Sequence, residues 1–156
     1  MGDLAAWTAE QIAAREAAAR AATPGPWWYN PGKQWLDADA FERYDLSEGQ
    51  EFVGYGGPHP FTGAVAATGR AGHVQSMADA AHIALHHPEA VLRRCAADRA
   101  LLDRHTPHTS GSTDCAIRCE RAHWGLLVCN HDGRSWPCLD VTDLAATYGH
   151  TPETST

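Results

Sequence analysis

Between Met77 and His105 the apolar residues recur at helical spacing, with one interruption at His86-His87-Pro88. Met77, Ala80, Ala81, Ala84 and Leu85 fall three and four apart and predict a helix with one apolar face. Ile83 lies off that stripe, so this first piece is apolar on more than one side and is expected to be well buried. Pro88 has no backbone N–H and disfavours helix at the residue before it, so the run should stop near His87 and restart at Pro88. In the second piece Val91, Leu92, Cys95 and Leu102 share an arc of roughly 100°. Arg93, Arg94, Asp98, Asp103 and Arg104 lie mostly outside it and are expected to meet water, while Arg99 falls inside it with its stem along the core.

Thr8-Ala9-Glu10-Gln11 has the spacing of a capping box, and the alanine-rich residues 9–22 predict a helix with Thr8 as N-cap. Glu16 and Arg20 are placed for an i,i+4 ion pair, and Thr23-Pro24-Gly25-Pro26 ends the helix. Trp27-Trp28-Tyr29 and Gln34-Trp35-Leu36 flank the turn-forming Asn30-Pro31-Gly32-Lys33, which predicts an aromatic hairpin. Residues 37–50 are acidic and lack a clean period. Two further strands are expected at 51–55 and 64–68, around Gly56-Gly57-Pro58-His59-Pro60. Toward the end, residues 124–129 and 134–138 read as a hairpin around Asn130-His131-Asp132-Gly133. A short helix follows, capped by Asp140 or Thr142 and stopped by Gly149. Together these elements predict an α+β fold: an N-terminal helix and a broken central helix on a small antiparallel sheet, then a cysteine-rich hairpin and a short helix. The expected division is a core domain at 1–106, a Cys/His-rich subdomain at 107–150 and a tail at 151–156.

A length of 156 residues, 44% hydrophobic and 20% charged, fits an ordinary globular chain. The net charge of −7 argues against broad polyanion binding. No run reaches the roughly 18 consecutive apolar residues of a membrane span. The opening residues carry acid and a Trp with no long apolar stretch behind them, unlike a secretory leader. The expected location is therefore cytoplasmic, where five cysteines favour free thiols or metal ligation over a disulfide framework.

Cys115, Cys119, Cys129 and Cys138 are four thiols within about 24 residues, enough to close a tetrahedral structural zinc site. His108, His123 and His131 are candidate substitutes for one thiolate. Tight Cys-x-x-Cys knuckles are absent, and the same spacing also suits buried free thiols or a Cys129–Cys138 disulfide. His82 and His86 stand four apart and can chelate a metal from one helical face. The competing reading has them capping the helix or bonding neighbouring backbone. Ile83 stands where a metalloprotease helix would carry glutamate. Trp27, Trp28 and Trp35 suit either an interaction surface or large rings filling the layer opposite alanine-rich helices. Cys95, on the apolar helix face, is expected to be buried and inert.

Ala22-Thr23-Pro24-Gly25-Pro26-Trp27, Ala80-Ala81-His82-Ile83-Ala84, His86-His87-Pro88 and Val91-Leu92-Arg93 resemble a family of small proteins of unknown function from actinobacteria and their phages. The resemblance extends to Trp136-Pro137-Cys138-Leu139 and to Tyr148, His150 and Pro152. His87 departs from it, since aspartate is usual there, and Asp140-Val141-Thr142-Asp143-Leu144 is more polar than the common Thr-Leu-Arg run. The resemblance implies an accessory protein with no established enzyme activity.

No catalytic constellation stands out, so the leading expectation is a non-enzymatic protein-interaction module with a structural zinc, its partner a host or phage protein. A zinc-ribbon-like nucleic-acid binder using Arg118, Arg121 and Arg134 is the alternative, and a metal-dependent hydrolase using His82 and His86 is the third.

Overall fold

The computed structural model describes residues 3–29, 50–56, 63–108 and 127–151. It has the expected α+β character, with helices and small antiparallel sheets. In chain order the elements are α1 (Leu4–Ala21), β1 (Trp27–Trp28), β2 (Gln50–Tyr55), β3 (Gly63–Arg70), α2 (Val74–Leu85), α3 (Pro88–Arg104), β4 (Pro107–His108), β5 (Val128–Cys129) and α4 (Leu139–Thr147). Two compact units interleave along the chain: Glu16–Arg93 forms one, and Met1–Arg15 with Arg94–Thr156 forms the other. No helix among the described residues is long and apolar enough to cross a membrane.

In the unit Glu16–Arg93 the sheet runs β1-β2-β3, antiparallel throughout. β1 pairs with β2, placing Trp27 opposite Tyr55 and Trp28 opposite Gly54. The expected partner of β1 at residues 34–36, with Trp35, lies outside the described residues. Gly54 has no side chain because the Trp28 indole occupies the space a Cβ would need. α2 packs on the sheet and begins at Val74, three residues before the apolar stripe suggested. Its buried residues are Ser76 and Ala80, whereas Leu85 is 72% exposed, so the expected burial on several sides is not what forms. The face toward the sheet is set by a polar anchor, the Thr68 hydroxyl donating to the Ser76 carbonyl at 2.7 Å. That choice turns Leu85 outward. Glu51 is buried within this unit, where the Tyr29 hydroxyl (2.9 Å) and the Gly72 N–H (2.7 Å) both donate to its carboxylate. Two such bonds to a charged acceptor, each worth about 1.5–3 kcal/mol, offset its desolvation. The chain breaks between α2 and α3 where Pro88 predicts it, and the Arg20–Glu16 pair forms at 3.5 Å.

In the other unit, α1 starts earlier than the capping box suggests. The Asp3 carboxylate accepts the Ala5 N–H at 3.0 Å, and Thr8 lies inside the helix, fully buried, its hydroxyl donating to the Leu4 carbonyl at 2.7 Å. Asp98 also departs from expectation. It is 7% exposed, on the same face of α3 as Cys95 and Leu102. The Tyr148 hydroxyl (2.7 Å) and Arg94 Nε (3.2 Å) donate to its carboxylate, and the Arg15 guanidinium lies 4.0 Å over the Tyr148 ring. Ile12, Leu102, Val141, Leu144 and Ala145 supply the apolar core of this unit. α4 begins after Cys138 as N-cap; Asp140 and Thr142, the expected caps, sit in its first turn. Thr142 instead donates from its hydroxyl back to the Cys138 carbonyl at 3.1 Å. Gly149, at φ +94°, closes the helix, and the His150 N–H reaches the Ala145 carbonyl at 3.1 Å.

Candidate metal centre

Three local structures in the second unit converge on one point. The first is the C-terminal end of α3, where the His105 N–H bonds the Leu101 and Leu102 carbonyls at 3.1 Å and places the imidazole just past the helix. The second is the hairpin that begins at β5. Cys129 N–H donates to the Arg134 carbonyl (2.8 Å), Gly133 N–H donates back to the Cys129 carbonyl (2.9 Å), and Val128 bridges Ser135. Gly133 adopts φ +69°, a left-handed conformation suited to glycine, which lets the five residues from Cys129 to Gly133 close so tightly. β4 pairs on β5 with Pro107 opposite Cys129, and Asn130 N–H bonds the Thr106 carbonyl (2.9 Å), tying the residues after His105 to the hairpin. The third is the N-cap of α4, Cys138.

His105 Nδ1 lies 3.4 Å from Cys129 Sγ and 3.3 Å from Cys138 Sγ. With an Asp132 carboxylate oxygen, these four donor atoms all lie within 4.8 Å of one another. His105, Cys129 and Cys138 are 4%, 1% and 1% exposed, while Asp132 faces solvent. Both cysteines are free thiols in the structure.

One imidazole, two thiols and a carboxylate are donor types that zinc takes in a tetrahedral site. Zinc bonds of about 2.0–2.1 Å to nitrogen and 2.3 Å to sulfur imply ligand-to-ligand edges of roughly 3.5–3.8 Å. The two nitrogen–sulfur distances, 3.4 and 3.3 Å, are 0.1–0.2 Å shorter than that range, and the widest donor separation, up to 4.8 Å, is longer, so a bound ion would draw the four donors into a more even set. Hydrogen bonding alone accounts for the arrangement poorly, because one ring nitrogen offers a single lone pair or a single proton and here faces two sulfurs. Asp140 Oδ2 stands 3.5 Å from His105 Nε2, the side on which a ligating imidazole commonly has a carboxylate partner.

The backbone prepares the site as well. Burial holds the Cys129 thiol above its ordinary value, and the backbone N–H groups of Asp132 and His131, which donate to its sulfur, offset part of that rise. Two amides aimed at one sulfur would help to hold a thiolate once an adjacent cation favours that form. The Arg134 N–H donates to Asp132 Oδ1 at 2.9 Å and is the main reason that this carboxyl is held below the usual carboxylate range.

Of the metal residues expected from sequence, Cys129 and Cys138 meet in the structure. Cys115, Cys119 and His123 lie outside the described residues. His131 stacks edge-on against His105 with ring centroids 4.6 Å apart, and the donor group does not include its ring. His108 sits in β4, its buried Nε2 without a hydrogen bond among the described residues. His105 and Asp132 are the donors that sequence reading missed. The available signal was Cys129-x-x-Asp132-Gly133, a knuckle spacing with a carboxylate in place of the second thiol. Trp27 and Trp28 are half-buried. Trp27 Nε1 donates to the Thr23 carbonyl at 2.9 Å, and Trp28 packs edge-on against Phe52. His82 and His86 lie exposed along and just beyond α2, in the other unit.

These four donors, three of them buried, form a group that could hold a metal ion. The chain belongs to the Family of unknown function (DUF6221), whose model matches residues 1–153. It matches no curated protein and no solved structure.

Proposed function

We propose that this is a non-enzymatic accessory protein that works in the cytoplasm by binding another protein, and that one structural zinc ion closes the unit formed by its two chain ends. The observation that carries the zinc reading is the complete set of four donors, His105, Cys129, Asp132 and Cys138, three of them buried. Structural sites use four protein ligands, whereas catalytic ones keep a position for water. When bound, zinc would supply cross-linking and charge: it would tie the end of α3, the β5 hairpin and the start of α4, in a unit whose two-stranded sheet has only two residues per strand. The chain's own groups do the rest. Asp140 stands 3.5 Å from the far ring nitrogen of His105, Cys129 receives two backbone N–H groups, and Asp132 is held by the Arg134 amide. A reducing compartment keeps both thiols available for the metal.

The interaction role, with a host or phage protein as partner, is motivated by the acidic net charge and by the lack of a catalytic constellation in the sequence. Elemental analysis of untagged protein should give one zinc per chain, with Cys129 and Cys138 protected from alkylation until a chelator is added. Metal-free protein with the same thermal stability in chelator and in zinc would overturn the structural reading. A saturable partner recovered from the protein's own host, and lost on chelation, is the result expected of the interaction role; no saturable partner would count against it.

A further inference from the structure

The unit Glu16–Arg93 presents a second pair of nitrogen donors. His82 lies in the last turn of α2 and His86 is its C-cap, with ring centroids 4.5 Å apart and planes inclined by 59°. Both side chains are exposed. Neither imidazole makes a hydrogen bond or ion pair among the described residues, and the cap at His86 is made by its backbone N–H, which donates to the Ile83 carbonyl. The two rings therefore face each other unengaged.

Two further features favour a cation at this spot. The C-terminus of a helix carries partial negative charge from its unsatisfied carbonyls, which favours positive charge within the last turn. Asp79 lies on the same stripe as His82 and His86, three and seven residues back, with one carboxylate oxygen accepting Gln75 Nε2 at 2.8 Å. We infer that His82 and His86 form a separate, solvent-open site for a borderline divalent cation such as Ni²⁺, Cu²⁺ or Zn²⁺. Their imidazole nitrogens are the two protein ligands, Asp79 supplies charge, and water fills the remaining positions. With only two protein ligands the ion exchanges readily. This site is independent of the proposed zinc at His105, Cys129, Asp132 and Cys138.

The test is a Ni²⁺ titration of the full chain, with zinc first added to fill the four-donor centre, followed by NMR, in which the paramagnetic ion broadens the histidine ring signals nearest to it. His82 and His86 should broaden together and before His73, His87 and His131. His82→Ala or His86→Ala should weaken binding about tenfold or more, because the second contact of a chelate comes at high effective concentration. Both variants should keep wild-type helix content, since the side chains are exposed. Equal Ni²⁺ affinity in wild type and the double variant, or first broadening at other histidines, would overturn the assignment.

Discussion

Replacing Cys138 with alanine separates a metal ligand from a buried small residue, because the two roles predict different energies. Cys138 is 1% exposed and lies 3.3 Å from His105 Nδ1. As a mere packing group, its sulfur is one buried heavy atom whose deletion costs about 1 kcal/mol. As one of four ligands it carries a share of a structural zinc binding energy of about 10–16 kcal/mol, roughly 3 kcal/mol per donor. Its loss then weakens zinc affinity by about a hundredfold or more. The assay is urea unfolding of wild type and Cys138→Ala, each with excess zinc and with chelator, read as a thermodynamic cycle. The variant should lose about 3 kcal/mol or more relative to wild type in zinc, and only about 1 kcal/mol in chelator. Equal penalties in the two buffers would refute the ligand role.

Asp140→Asn keeps the side-chain shape but removes the carboxylate charge beside His105 Nε2, and should lower zinc affinity about 10–100-fold in a competition titration without changing stoichiometry. Tyr148→Phe takes one donor from the buried Asp98 carboxylate and leaves it the Arg94 Nε, and should cost about 1–3 kcal/mol in urea unfolding. Burial first, and the Glu51 hydrogen bond second, push the Tyr29 phenol up to about 12 from its ordinary 10. A phenol raised in the folded state holds its proton longer there than in the unfolded chain. Its contribution is therefore intact below pH 10 and is lost as the pH rises from 10 to about 12, and Tyr29→Phe should flatten that decline in the urea midpoint.

Local chemistry made most of the described fold legible. Pro88 splits α2 from α3, Thr23-Pro24-Gly25-Pro26 ends α1, Gly149 stops α4, and the two strands around residues 56–62 form β2 and β3. Each of these signals acts within a few residues of itself. The departures involve partners distant in sequence. Asp98 reads as a solvent residue until Tyr148, fifty positions later, is brought against it. The buried face of α2 depends on Thr68 reaching Ser76 across the strand–helix connection. Thr8 has the right spacing to Gln11 for a cap, yet Asp3 supplies one five residues earlier. Half of the candidate centre was legible for the same reason. Cys129 and Cys138 flank a predicted hairpin, whereas His105 precedes Cys129 by 24 residues and joins it only because β4 pairs with β5.

The most direct test of the centre is zinc-edge X-ray absorption on the zinc-loaded full chain. Donation by His105, Cys129, Asp132 and Cys138 predicts a mixed first shell of two sulfurs at about 2.3 Å and two nitrogen or oxygen atoms at about 2.0–2.1 Å. A shell of four sulfurs would transfer the site to the thiols of Cys115 and Cys119 alongside Cys129 and Cys138, and a shell without sulfur would contradict it altogether.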